Sequence, residues 1–405
     1  MQSHFSQLPK TLNKLLKGRY RWFWLTLATF LIVISLWQAP KVNHGAAKIG
    51  EIHGVWMTNT GVILNYYTTR LDEVVANIAK HNLNTIYPAV WNRGYTLHPS
   101  SVAPSRGSLF FGERHHRPFL TLTDPLKGIV QQAHRQELRI IPWFEYGLMI
   151  PKNHAIAKQH PDWLSQTQQG KIHLPQGKFD QSENMAWLNP AHPEVQKFIT
   201  NLIVDVVKRY AIDGIQLDDH FAIPVEFGYD NYTVQLYRQE HNGSPPPKNI
   251  KNPEWMAWRA KKLTQLMAKI SQAVKVEKPQ LIISLSPNSL DFAYKNYLQD
   301  WGRWVKSGLL DEVVVQIYRN DIQTIQNELN NQQLLNIRSR VPTAIGLYTG
   351  PFLSPKPIQN IKQEIAVVKN TKYQGVSFFS WETTLWIFKG GSQRQFEAGL
   401  REFLT

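Results

Sequence analysis

The sequence predicts a mixed α/β chain that closes into a single (β/α)8 TIM-like barrel behind an N-terminal hydrophobic segment. Three observations lead there. From Glu51 onward, eight short runs rich in Val, Ile, Tyr and Phe alternate with helix-patterned stretches, the signature of repeated βαβ units. The connections are asymmetric, short on the way into each strand and long after strands 2, 3 and 4. No Gly-rich phosphate loop follows the first strand, which argues against a doubly wound nucleotide fold. The 405 residues, 42% apolar, supply the core that a barrel of this size needs.

In chain order, residues 1–21 form a basic n-region and 22–37 (WFWLTLATFLIVISLW) an uncharged apolar run. Together they read as a signal peptide or a retained transmembrane anchor, with Trp at either end suited to the interfaces. Residues 38–50 then form a linker and 51–405 the barrel domain. The body is expected on the periplasmic side, anchored, or secreted if the segment is cleaved. Strands are expected at 52–59, 85–90, 139–146, 214–219, 281–287, 312–318, 343–348 and 375–381. Helices are expected at 71–82, 125–136, 193–210, 254–276, 292–307, 322–337, 358–370 and 393–404. The long loops are expected to lack secondary structure of their own. They leave the C-terminal face, where barrel enzymes keep their chemistry.

Composition excludes several classes. With no cysteine, disulfides, thiolate metal sites and a Cys nucleophile are ruled out. The net charge is +15, but Glu51 is the first acidic residue and seven Lys or Arg precede it, so about half of that charge is N-terminal. The barrel shows no basic stripe with interleaved aromatics and no nucleic-acid motif. No cofactor motif is present.

Chemistry concentrates at strand ends. In DGIQLDDH at 213–220, alternation turns Ile215 and Leu217 toward the helices and Gln216 and Asp218 into the barrel, with Asp219 and His220 at the rim. A carboxylate inside a barrel is costly unless it is paired or functional. Glu145 closes strand 3 and Glu382 closes strand 8. Carboxyl groups around one mouth suit glycosidic cleavage, where one protonates the leaving oxygen and another attacks the anomeric carbon or activates water. Asp218 is the first choice for nucleophile or base, with Asp219 close behind. Glu145 or Glu382 is the acid. Trp56, Trp91, Trp143, Tyr146, Tyr318 and Trp381 lie near strand ends and offer flat faces for sugars. Asn59, Asn92, Arg93, His98, Asn189 and His220 offer hydrogen bonds.

Several segments carry a family resemblance: HGVWMTN at 53–59, PWFEYGLM at 142–149, WLNPAHPEVQKFI at 187–199, DGIQLDDHF at 213–221 and QIYR at 316–319. With these the chain resembles the glycosyl hydrolase-like 10 family of bacterial proteins, in a form similar to its cyanobacterial-type members, over about residues 50–400. The resemblance implies a TIM-like barrel acting on polysaccharide, with peptidoglycan glycan strands the leading substrate class. It implies catalytic roles for Asp218 and Asp219.

Two other readings stay open. Asp218, Asp219 and His220 could serve a metal-dependent hydrolase. A barrel that binds glycans without cutting them would use the same aromatics.

Overall fold

The computed structural model describes residues 21–36, 39–42, 51–59, 71–104, 124–174, 185–351 and 354–384. The chain divides into two units, Met1–Lys41 and Val42–Thr405. The first holds the helix Arg21–Leu36. Among the described residues no helix is long and apolar enough to cross a membrane.

The second unit is a parallel barrel. Its strands are β1 Ile52–Met57, β2 Thr85–Pro88, β3 Arg139–Ile140, β4 Gly214–Asp218, β5 Ile282–Ser286, β6 Glu312–Gln316, β7 Thr343–Tyr348 and β8 Gly375–Phe379. Each pairs with its sequence neighbours except β3 with β4, which end the sheet order, and β8 pairs with β1. The seam between β3 and β4 is closed by a few hydrogen bonds: Asp213 N to Ile140 O at 3.0 Å, Gln216 N to Pro142 O at 2.8 Å and Phe144 N to Gln216 O at 2.8 Å. The strand expected at 139–146 stops at Ile140 because Pro142 has no N–H to give the ladder. Trp143 resumes pairing on both sides, to Ala89 and Gln216.

Period-two alternation sorts the side chains. Val55, Ile86, Ile215, Leu217, Ile283, Leu285, Val313 and Val315 join the outer core beneath the helices. Ile52, Trp56, Tyr87, Ile141, Trp143, Val314 and Ala344 fill the barrel. Gly54 makes room there, since a Cβ would lie 2.4 Å from Ser377 Oγ and 2.5 Å from the Tyr87 ring. Glu312 and Gln216 pair the polar groups around them. Glu312 accepts from Tyr87 Oη and Ser284 Oγ, both at 3.0 Å, and from Arg139 at 2.9 Å. Above it, Gln216 accepts from Trp56 Nε1 at 2.7 Å and donates to Ser284 Oγ at 3.0 Å. The interior is thus a packed plug beneath the mouth.

The helical layer departs from expectation at two places. The helix expected at 292–307 is two, Leu290–Tyr297 and Trp301–Lys306, separated by left-handed Leu298 and restarted by the Asp300 cap. The one expected at 322–337 breaks into Ile322–Leu329 and Gln332–Arg338, where Asn331 accepts from the Gln333 and Leu334 amides. The loops after strands 2, 3 and 4 also carry structure of their own: the hairpin of Trp91–Asn92 with Tyr95–Thr96, the pair Met149–Pro151 with Met185–Trp187, and the helix Asn231–Glu240. The helix expected at 393–404 lies outside the described residues.

Candidate active site

Alternation along β4 carries Asp218 into the top of the barrel, where its side chain is 3% exposed. Both oxygens are held. Oδ2 accepts from Trp143 Nε1 at 2.9 Å, and Oδ1 accepts from the His220 amide at 2.7 Å. Asp219 comes one residue later, where the strand ends, and its side chain is 23% exposed toward the mouth. Asn288, just past β5, donates to its Oδ2 at 2.7 Å, and Gln316, at the end of β6, donates to its Oδ1 at 3.2 Å. Gln316 is itself fixed on the Ser286 carbonyl at 2.9 Å. His220 completes the group. Its Nδ1 lies 3.1 Å from Asp218 Oδ1, 3.7 Å from Asp219 Oδ1 and 3.0 Å from the Glu145 carbonyl oxygen. Three strand ends thus converge on one acidic pair.

The two aspartates titrate in opposite directions. Burial, then the charge of Asp219, pushes Asp218 well above the usual carboxylate range. Burial also penalises a charged Asp219. The His220 charge and the hydrogen bonds from Asp218, Gln316 and Asn288 outweigh that cost and hold it below its ordinary value. His220 shows the converse. Burial favours its neutral form, but Asp219 and Asp218 win and raise it well above 6.5.

A further carboxyl group comes from the segment that follows β3, next to His220. Glu145 accepts from Asn92 Nδ2 at 2.6 Å, and burial pushes it up to about 7. The Glu382 charge adds to that shift, while Asn92, His220 and Arg93 oppose it. Glu382 Oε1 accepts from the Thr58 amide and hydroxyl, both at 2.8 Å. Its Oε2 is buried with no hydrogen-bond partner, and burial raises this carboxyl too.

Aromatics frame the opening. Tyr146 stacks on His220, ring centroids 5.5 Å apart and nearly parallel, and Arg93 lies 5.6 Å over the Tyr146 ring. Opposite, Tyr318 stacks with Phe379 at 6.1 Å and packs on Tyr348 at 5.7 Å. Burial and the aspartate charges keep the Tyr318 hydroxyl protonated far above its ordinary range.

The structure brings together Asp218, Asp219, His220, Glu145, Glu382, Trp143, Tyr146 and Tyr318, with Asn92 and Arg93 alongside. Several predicted sugar contacts lie elsewhere. Trp91 turns away from the mouth, wholly buried against Phe198, with Nε1 on the Gly147 carbonyl. Trp381 is buried in the outer core. Trp56 is walled inside the barrel on Gln216. Asn189 is buried as a clamp, donating to Asp230 Oδ1 at 2.9 Å and Thr233 Oγ1 at 2.8 Å. His98 is buried beside Asp205 and Tyr210. Asn59 is buried at the end of the described segment after β1. Sequence reasoning passed over Thr58, Tyr348 and Phe379. The end of β7 and the inward parity of β8 could have found the last two.

The ligating atoms of Asp218, Asp219 and His220 all lie within 4.8 Å of one another, close enough to share a divalent ion. Yet all four carboxylate oxygens already accept protein N–H groups. The arrangement is self-consistent as an acid–base cluster.

Known proteins share this framework. A family model described as glycosyl hydrolase-like 10 matches residues 51–367. Glycosyl hydrolase DigH of Escherichia coli strain K12 is 28% identical over 261 residues, covering 60% of this chain and 56% of that protein. Glycosyl hydrolase YngK of Bacillus subtilis strain 168 is 23% identical over 322 residues, covering 73% and 58%. The chain therefore spans little more than half the length of these relatives. Among solved structures, the PgaB (BpsB) glycoside hydrolase domain of Bordetella bronchiseptica superposes with a TM-score of 0.64 at 12% identity, over 86% of this chain and 98% of that one. Alpha-L-fucosidase isoenzyme 2 of Paenibacillus thiaminolyticus gives 0.60 at 13% identity, over 87% and 49%. At such identities the likeness is one of fold.

Proposed function

The chain belongs to the glycosyl hydrolase-like 10 family, and from that membership and the site geometry we propose that it hydrolyses glycosidic bonds of a polysaccharide, with peptidoglycan glycan strands as the leading substrate. The observation that carries this is a pair of carboxyl groups at one mouth shifted in opposite directions from the ordinary carboxylate range. Asp219 is kept ionised and Glu145 keeps its proton up to about pH 7. Glycosidic cleavage needs one group of each kind.

In this reading Glu145 protonates the departing oxygen. Asp219, the more exposed aspartate, attacks the anomeric carbon or takes a proton from water. The sequence ranked Asp218 first, but its oxygens are spent on Trp143 and His220. Asp218 is thus a positioning residue that sets the His220 ring beside Asp219. Tyr146, Tyr318 and Phe379 supply flat walls for the sugar. Glu382, with one oxygen unpartnered, is the second candidate for the acid.

The test is product analysis of the purified chain on peptide-stripped peptidoglycan strands and on other glycans, reading new reducing ends by mass spectrometry. Asp219→Asn and Glu145→Gln should each lower turnover by about 10²- to 10⁴-fold. A wild-type chain that cuts no glycan ends the hydrolase reading. If it binds glycans uncut, the binding-barrel reading takes its place. Activity that disappears in a chelator and returns with a divalent ion would reassign Asp218, Asp219 and His220 to a metal.

A further inference from the structure

The helix Leu290–Tyr297 begins where β5 ends and is tied to the site on two sides. Asn288, four residues before Phe292, holds Asp219 Oδ2 at 2.7 Å. Trp301 Nε1 donates to the Asn288 carbonyl at 3.1 Å and steadies that turn. At the far end, the segment that leaves β4 is sewn to the helix by Ile223 N to Tyr297 O and Val225 N to Asn296 O, both at 3.0 Å. Both chain segments that position Asp219 are therefore in hydrogen-bond contact with this helix or its leading turn.

Phe292 stands on the exposed face of that helix, 44% exposed, with the Tyr297 ring 5.8 Å away and inclined by 53°. Single exposed apolar residues are ordinary. What singles this one out is its place. In the barrel unit, the other large apolar residue exposed among the described residues is Val276, near the C-terminal end of the helix Pro253–Glu277. A helix following a barrel strand runs back toward the opposite face, so Val276 is remote from the mouth while Phe292 stands in the first turn above it. Four residues of chain reach at most about 14 Å, which keeps Phe292 within the span of a short oligosaccharide bound at Asp219.

We infer that Phe292, with Tyr297 beside it, is a stacking subsite for a pyranose ring of the glycan, away from the bond being cut. An aromatic face is electron-rich and meets the C–H face of a pyranose favourably, while the sugar hydroxyls stay in water. A rigid ring also costs little ordering entropy on binding. The inference rests on the glycosidase reading and assigns the polymer a path across β5 rather than along β1.

Binding in the Asp219→Asn background, which holds substrate without turning it over, tests this directly. The probe is soluble, peptide-stripped peptidoglycan strands, read by affinity electrophoresis and calorimetry. Adding Phe292→Ala should weaken affinity about 2- to 10-fold, the range of one aromatic contact, and Phe292→Tyr should restore it. With otherwise native protein, Phe292→Ala should raise KM for the strands more than it lowers kcat. Thermal melting of each variant separates loss of contact from loss of fold, and the tyrosine variant provides a second arm. Affinity unchanged in Phe292→Ala overturns the subsite alone. Failure of the Asp219→Asn and wild-type proteins to bind any glycan overturns the subsite and the glycosidase reading together.

Discussion

Burial acts on Glu145 and Asp219 alike, and the neighbours decide the outcome. For Asp219, His220 and the hydrogen bonds from Asp218, Gln316 and Asn288 outweigh burial; for Glu145, burial and the Glu382 charge outweigh Asn92, His220 and Arg93. With Glu145 pushed up to about 7, its proton is present below that pH and lost above it. The alkaline limb of kcat/KM should therefore fall as pH rises through about 7, and a pH–rate profile reads it. In Glu145→Gln the residual activity should lose this limb; an unchanged limb would move the acid to Glu382. The same shift bears on stability. The folded state binds the Glu145 proton more tightly than the unfolded chain, so the stabilising contribution is whole below the ordinary value of 4.5 and is lost as pH rises toward 7. Glu145→Gln should consequently be more stable than wild type at pH 8, by roughly 1–3 kcal/mol after discounting for partial exposure, and no more stable at pH 4. Urea midpoints at the two pH values measure this.

Along the elements, parity was the legible signal. Alternation in DGIQLDDH placed Gln216 and Asp218 inside the barrel and Ile215 and Leu217 outside it, because a strand has no other way to dispose its side chains. The same logic failed for Trp91, because a short hairpin after β2 re-sets the alternation: Trp91 and Thr96 turn inward to packing while Asn92 reaches Glu145. Helix lengths failed where a capping side chain outcompetes continuation, at Asp300 and Asn331. No local pattern announces Asn288 and Gln316 as the clamp on Asp219, since they come from different strands. The barrel interior carries its own prediction. Arg139 donates to Glu312 across the closed sheet, the glutamate nearly buried and the arginine 29% exposed. Arg139→Ala strands that carboxylate and should cost about 3 kcal/mol. Adding Glu312→Gln should recover a good part of the loss, a coupling that a double-mutant cycle in urea reads. Additive losses would mean that the pair is not linked through the barrel.

At the scale of the whole chain, the two units differ sharply in composition. Residues before Glu51 carry basic charge without any acidic counterweight, and the run at 22–37 is uncharged throughout and mostly apolar. The described part of that run is one helix, Arg21–Leu36. The barrel unit, Val42–Thr405, encloses its own core and draws the site from the ends of its eight strands and the segments that follow them, with no residue before Glu51 among the site groups described. A basic flank ahead of an apolar helix favours the membrane through two additive forces, burial of apolar surface and attraction to anionic headgroups. We therefore propose that the first unit delivers the barrel to the membrane and contributes nothing to turnover. Expressed in a bacterial host, the full chain should fractionate with membranes and resist high-salt extraction, since salt weakens only the electrostatic part. Residues 42–405 alone should be recovered soluble, with the melting temperature and glycan turnover of the detergent-extracted full chain. Val42 is kept because its amide donates to Gln136 Oε1 at 2.8 Å and ties the start of the unit to the barrel. A full chain released by salt would reduce the first unit to a surface contact. A truncated barrel that melts early or loses turnover would mean that the units are coupled and the division is wrong.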